Sequence, residues 1–211
     1  ICLVVSLAVG FDVYSNPLQH TKKHRIDRAK TMLTVAIAYV ALYSGRYNIS
    51  IVNNHHVRDL LGVTKADFGV VLLTGFWTYA VFQILDGRFA DKFGGKKALA
   101  LGCLGSGLVN LATASLFWSG SSYVGVVSLV LLNMLNNMFQ PFGSVAWVRV
   151  TAQWFERAER GQVSGMMGTV IGVGYFSSLT LGGWLLSRTD FWVLFAKPAA
   201  ILIFIACLGI I

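Results

Sequence analysis

Long apolar stretches broken by short polar gaps run the whole length of the chain. Six of them read as membrane-crossing helices: about Thr31 to Val52, Phe68 to Leu85, Ala98 to Trp118, Tyr123 to Trp147, Gln162 to Leu186, and Phe191 to the end. Each is near the ~20 residues that an α-helix needs to cross the hydrocarbon of a bilayer. The gaps carry Gly, Asp and Ser, above all between Asp86 and Lys97 and between Ser119 and Ser122, and such residues punctuate helices. Residues 31–211 are therefore expected to form one all-α bundle of six helices. Residues 1–30 stand apart as a hydrophobic leader, residues 1–14, followed by a basic segment. With Asp12 in it, the leader is short for a span. It reads as the end of an upstream helix, a signal-like apolar region or a loose leader. The chain begins without Met and stops inside an apolar run, so a longer parent protein is expected.

Composition narrows the class. Of 211 residues, 55% are hydrophobic and 12% charged, against about 25% charged in an ordinary soluble domain. A soluble enzyme of this length would lack the polar surface to cover so apolar an interior. The excess of 17 Lys+Arg over 9 Asp+Glu gives a net charge of +8, which in a soluble chain would suggest nucleic acid. Here the basic residues fall in alternate gaps, and no nucleic-acid partner is expected. Lys22, Lys23, Arg25, Arg28 and Lys30 precede the first span; Arg88, Lys92, Lys96 and Lys97 follow the second; Arg149, Arg157 and Arg160 follow the fourth. The intervening gaps hold only Arg58, Lys65 and Arg188. By the positive-inside rule the richer side is expected to be cytoplasmic. Cys2, Cys103 and Cys207 lie in apolar runs without metal-ligand spacing, and His55-His56 reads as a solvated loop pair. No nucleophile–base pair, phosphate-cradling glycine loop or metal cluster emerges, so neither enzymatic activity nor a cofactor is expected.

Two basic residues remain inside the spans. Lys197, beside Pro198, can snorkel from the start of the sixth span to the interface. Arg46 lies deep in the first span, where a cation costs roughly 2.5–3.5 kcal/mol on insertion scales. On a helix, Tyr39, Tyr43, Arg46 and Ser50 share one face, a set of hydroxyl and guanidinium donors suited to an anion. The second span offers Tyr79, Gln83 and Asp86 at i, i+4 and i+7. The fourth offers Asn133, Asn136, Asn137 and Gln140 as a polar stripe. Three polar faces predict a shared hydrated cavity, against the plainer reading of helix-to-helix hydrogen bonding worth ~0.6 kcal/mol per contact. No acidic residue lies at mid-depth to neutralise Arg46, and Asp86 is at the end of its span. A guanidinium so placed fits a phosphate or carboxylate through its fork of donors.

Between the second and third spans, the run from Gly87 to Lys97 fits G-x-x-x-D-[RK]-x-G-x-[RK]-[RK] throughout. Its glycines allow a tight turn, and Asp91 can cap the backbone or pair with Arg149 across the bundle. This loop resembles the signature of the major facilitator superfamily. Within it, the chain resembles the organophosphate:phosphate antiporters, from about Ala38 to Ala199. The anchors are Tyr39, Tyr43, Arg46 and Asn48, then Asp67-Phe68-Gly69, Tyr79, the loop, Gln140, Arg149, Trp154-Phe155, Glu159-Arg160-Gly161, Asp190 and Pro198.

The resemblance implies the N-terminal half of a secondary transporter, with substrate between two six-helix halves that rock to open either side. It implies that Arg46 binds a substrate phosphate together with a second arginine from the other half, and that Tyr39, Tyr43 and Tyr79 line the pocket. Gln83, Asn137 and Gln140, with Asn136, are expected to shape the site. Gly87, Asp91, Lys92, Gly94, Lys96 and Arg149 are expected to form a conformational-switch loop. Bacterial members carry lysine where this chain has Tyr47 and Gln83, and histidine where it has Ile171, so positive charge for a dianion is reduced here. The expected partners are a small anion (a phosphorylated metabolite, or inorganic phosphate in exchange) and the lipid bilayer, in a plasma or organellar membrane. The alternatives are a facilitator of a carboxylate, nitrate or uncharged solute, and a non-transporting sensor or scaffold. Gly161, Gly165, Gly168 and Gly172 form a small face expected to pack closely against a neighbour. Asn48-Ile49-Ser50 fits a glycosylation sequon but lies within a span, so modification is not expected. Glu156 and Arg160, four apart, read as an ion pair.

Overall fold

A computed structural model describes residues 20–53, 58–59, 61–119 and 125–208 of the chain. Among the described residues seven α-helices are bounded: α1 Lys22–Val52, α2 Lys65–Phe93, α3 Gly95–Trp118, α4 Val126–Phe139, α5 Pro141–Trp154, α6 Arg160–Leu186 and α7 Val193–Cys207. No strand occurs among the described residues. On length and composition α2, α3 and α6 can cross a membrane, and α7 is a shorter apolar helix. The hydrophobic leader and His55-His56 lie outside the described residues.

The helices differ from the expected spans for identifiable reasons. The basic segment does not stop short of the first span but winds into it, making α1 31 residues long. Thr21 starts it, its side chain accepting a hydrogen bond from the His24 N–H at 3.4 Å. A capping box opens α2: Thr64 accepts from the Asp67 N–H at 3.2 Å, and the Thr64 N–H donates back to Asp67 at 2.8 Å. The fourth stretch is two helices rather than one, meeting at Gln140. Pro141 has no N–H to give to the carbonyl one turn back, and its ring crowds that carbonyl, so it begins a new helix instead.

The loop signature is also largely helical. Helix α2 continues through Gly87, Asp91 and Lys92 to Phe93, and the turn into α3 falls on Gly94 alone, at φ 90°. A residue with a Cβ is strained there, so the tight-turn role expected of several glycines belongs to one.

Helix α1 packs along α6, α5 and α7; α3 along α7, α5 and α4; and α2 along α4 and α5. One core cluster gathers Val35, Tyr39, Leu42, Leu99, Trp147 and Leu202. A second, toward the other end, gathers Val52, Phe68, Phe117, Leu129 and Phe195. Close approach depends on particular glycines. A Cβ at Gly102 would stand 2.6 Å from that of Phe142, and one at Gly105 would strike the Phe139 ring. On α6 it is Gly174, against Tyr43, and Gly182, against Ile51, that admit α1. The expected small face of Gly161, Gly165, Gly168 and Gly172 meets nothing within 4 Å among the described residues. Large apolar side chains on α2 and α6, such as Phe76, Trp77, Ile84, Phe176 and Trp184, are exposed. Such a surface needs lipid or further protein to cover it.

Candidate functional site

Arg46 occupies the cleft between α1, α2 and the α4–α5 break. Its guanidinium lies between two ring faces, 4.9 Å from the centroid of Tyr43 and 4.6 Å from that of Tyr79. Its Nε donates to Oε1 of Gln140 at 3.2 Å, and Nη2 to the Gln140 main-chain carbonyl at 3.5 Å. All of these partners are neutral. Glu159 and Asp91 form ion pairs elsewhere, with Arg28 and Arg149.

Gln140 is completely buried and held from behind. Its Nε2 donates to Oγ of Ser106 at 2.8 Å, and that hydroxyl donates to Oδ1 of Asn136 at 2.7 Å. Asn110 also donates to Asn136 Oδ1, at 3.1 Å, and Asn136 Nδ2 closes the set on the Gly45 carbonyl at 3.0 Å. Asn48 joins through Asn110 at 3.0 Å. This network fixes the acceptor that Arg46 uses, since a buried amide gives up little of a satisfied set of bonds. Gly45 makes it possible: a Cβ there would lie 3.0 Å from Asn110 and 3.3 Å from Ser106. A cavity of about 20 Å³, lined by Gly45, Arg46, Asn110, Asn133, Asn136 and Phe195 among others, adjoins the network. It has room for a water molecule.

The other expected pocket residues divide. Tyr39 is buried, edge-on to Tyr43 with centroids 5.3 Å apart. Tyr43 stacks on Tyr47 at 5.7 Å, and Tyr47 meets Tyr175 of α6 edge-on at 4.9 Å, so an aromatic ladder leads from the site to α6. The Tyr79 hydroxyl is 3.4 Å from Oγ of Ser144. Gln83 is exposed. Asn137 is not turned to Arg46: its Nδ2 donates to the Asn133 carbonyl at 2.9 Å, and a Cβ on Gly75 would come within 2.8 Å of that nitrogen. The asparagine stripe spans an arc wide enough to serve two neighbours. Asn133 donates to the Val71 carbonyl of α2 at 2.7 Å and Asn137 lies against Gly75, while Asn136 and Gln140 face α1 and α3.

At the basic end of the bundle, Arg149 Nη1 lies 3.5 Å from Asp91 Oδ1, Asp91 being well exposed and Arg149 partly so. Lys92 and Lys96 are exposed, and Lys92 Nζ rests over the Phe93 ring at 5.3 Å. A tighter pair, unforeseen in the sequence, stands nearby. Arg28 of α1 donates to Glu159 at 2.9 Å, with side chains 1% and 9% exposed, and its guanidinium lies 4.8 Å over Phe155. The Glu156 N–H donates to the other Glu159 oxygen at 3.2 Å, with His20 Nε2 3.8 Å away from it. Burial pushes the Glu159 carboxyl up, but these bonds and the charge of Arg28 outweigh it and hold the group below the usual carboxylate range. The expected Glu156–Arg160 pair is absent because the intervening residues are not helical. Arg160 instead donates to the carbonyls of Phe155 at 3.3 Å and Ala152 at 3.2 Å.

Residues 35–211 match the sequence profile of the Major Facilitator Superfamily. The membrane sensor protein UhpC of Salmonella typhimurium is 27% identical over 163 residues, covering 73% of this chain and 34% of its own length. A probable hexose phosphate transport protein of Chlamydia pneumoniae is 26% identical over 140 residues, covering 66% and 29%. A probable sulfoacetate transporter, SauU of Cupriavidus necator, is 32% identical over 145 residues, covering 68% and 32%. The chain thus spans about a third of the length of the curated relatives it matches.

Proposed function

The chain belongs to the major facilitator superfamily and is an integral membrane protein, and from that premise we propose that it forms the first six-helix half of a secondary transporter of organic anions. The substrates are sugar phosphates or glycerol phosphate, exchanged against inorganic phosphate by alternating access of two halves. The observation that carries this reading is the guanidinium of Arg46, held in a protein-lined cleft with only neutral partners. An anionic oxygen is a stronger acceptor than an amide, so phosphate displaces Gln140 from the Nε and Nη2 donors. Tyr43 and Tyr79 keep the guanidinium plane fixed while this happens. The hexose phosphate transport relative supports the substrate class. In this reading the basic end faces the cytoplasm, with Asp91 and Arg149 in the switch there.

The test is exchange by the full-length protein in liposomes loaded with inorganic phosphate, supplied with labelled hexose phosphate or glycerol phosphate. Arg46→Lys is expected to abolish uptake while insertion is unchanged. Near-normal exchange by this variant overturns the anchor role, and binding without exchange by wild type supports a sensor, as the UhpC relative is named. A second reading rests on Tyr47, which stacks on Tyr43 and adds no charge, and on exposed, neutral Gln83. A site with so little positive charge suits a singly charged carboxylate or sulfonate, and the sulfoacetate relative points the same way. In the same liposomes this reading requires carboxylates or sulfonates to outcompete phosphate esters.

A further inference from the structure

Asp86 has no place in the anion site, yet it is 4% exposed. Its Oδ2 is shut off from solvent and has no hydrogen-bond partner. No donor on the helices around it reaches that oxygen. Helix α4 carries no titratable side chain along Val126–Phe139. On α5 the one charged residue, Arg149, turns Nη1 to Asp91 at 3.5 Å, and its Nε is shut off from solvent with no hydrogen-bond partner. On α3, Lys96 and Lys97 are exposed and Cys103 is a buried thiol. On α2 itself Arg88 and Lys92 are exposed and the Tyr79 hydroxyl is at Ser144. One turn along, Ala90 joins Ala98 and Phe142 in a small apolar cluster flanked by Phe89, Phe139 and Val145. An ionised carboxylate buried without a cation or donor is strongly disfavoured, and the neutral acid is the species such a place holds.

We propose that Asp86 is a proton-binding site. The carboxyl keeps its proton while α2 lies packed on α3 and α5. When that contact loosens and water enters, the O–H bond breaks, its electron pair stays on the carboxylate, and water takes the proton. On α2, Asp86 stands between Tyr79, which flanks Arg46, and Asp91, which pairs with Arg149. A proton there is placed to link anion occupancy to the switch. The coupling rests on the transporter reading above; the binding of the proton does not.

Infrared difference spectra of the full-length reconstituted protein, wild type against Asp86→Asn, test the site without any transported solute. The expected result is a protonated-carboxyl band at neutral pH in wild type that the variant loses; Asp86→Glu keeps a displaced band. Absence of such a band in wild type overturns the proposal. Coupling is tested in proteoliposomes with an imposed pH gradient. The gradient should raise wild-type uptake several-fold, while Asp86→Asn should exchange without responding to it. An unchanged gradient response in Asp86→Asn overturns the coupling. A band without any wild-type transport supports the proton site and overturns the function proposed above.

Discussion

The guanidinium of Arg46 meets two ring faces and an amide oxygen, and its chemistry follows from the neutrality of those partners. Gln140→Glu would place a carboxylate 3.2 Å from Nε while preserving shape, turning the anion anchor into a closed ion pair. Anion affinity should fall at least tenfold, about 1.4 kcal/mol, in phosphate binding to the purified full-length protein; unchanged affinity would show that Gln140 is not displaced by substrate. Tyr39, Tyr43 and Arg46 were legible as one face because they obey helical spacing on an unbroken helix. The division of the asparagines was not, since Asn133, Asn136, Asn137 and Gln140 cover an arc shared by two neighbours. Which neighbour each one meets depends on Gly75 and Gly45 opposite, positions that carry no side-chain signal at all.

At the scale of elements, two devices hold helices that are distant in sequence. Gly75 lets α4 lie on α2, and a methyl there would collide with Asn133 and stand 2.8 Å from Asn137. Gly75→Ala should therefore destabilise the bundle by about 1–3 kcal/mol, read as a lower unfolding temperature in detergent. The second device is the Arg28–Glu159 bond between the start of α1 and the entry to α6. Glu159→Gln should cost about 1.5–3 kcal/mol at neutral pH, as a charge-assisted bond is weakened. Because folding lowers the affinity of Glu159 for its proton, its stabilisation is complete above the ordinary glutamate range. It disappears as pH falls through the lower folded-state value. Wild type and Glu159→Gln should converge in stability in acid, which parallel thermal melts would reveal. The Asp91–Arg149 contact could be anticipated from a short loop pattern. Arg28–Glu159 could not, because 131 residues separate the partners and the non-helical turn before α6 defeats any i, i+4 reading.

For the whole molecule, alternation of apolar stretches and polar gaps was enough to read an all-helical membrane bundle. It did not reveal that Pro141 divides the fourth stretch, because the apolar character runs on across the break. Nor did it reveal that the basic segment joins α1, since charge suppresses hydropathy without preventing a helix. If the basic end faces the cytoplasm, a thiol introduced as Lys96→Cys in the full-length protein should react with impermeant reagents only from that side. Labelling from the opposite side would invert the topology. The connection at Gly94 carries a mechanical consequence. With a single residue between α2 and α3 there is no slack for one to slide past the other. Their joined ends must travel together, so any tilt of one against the other pivots at Gly94 and is felt at their far ends.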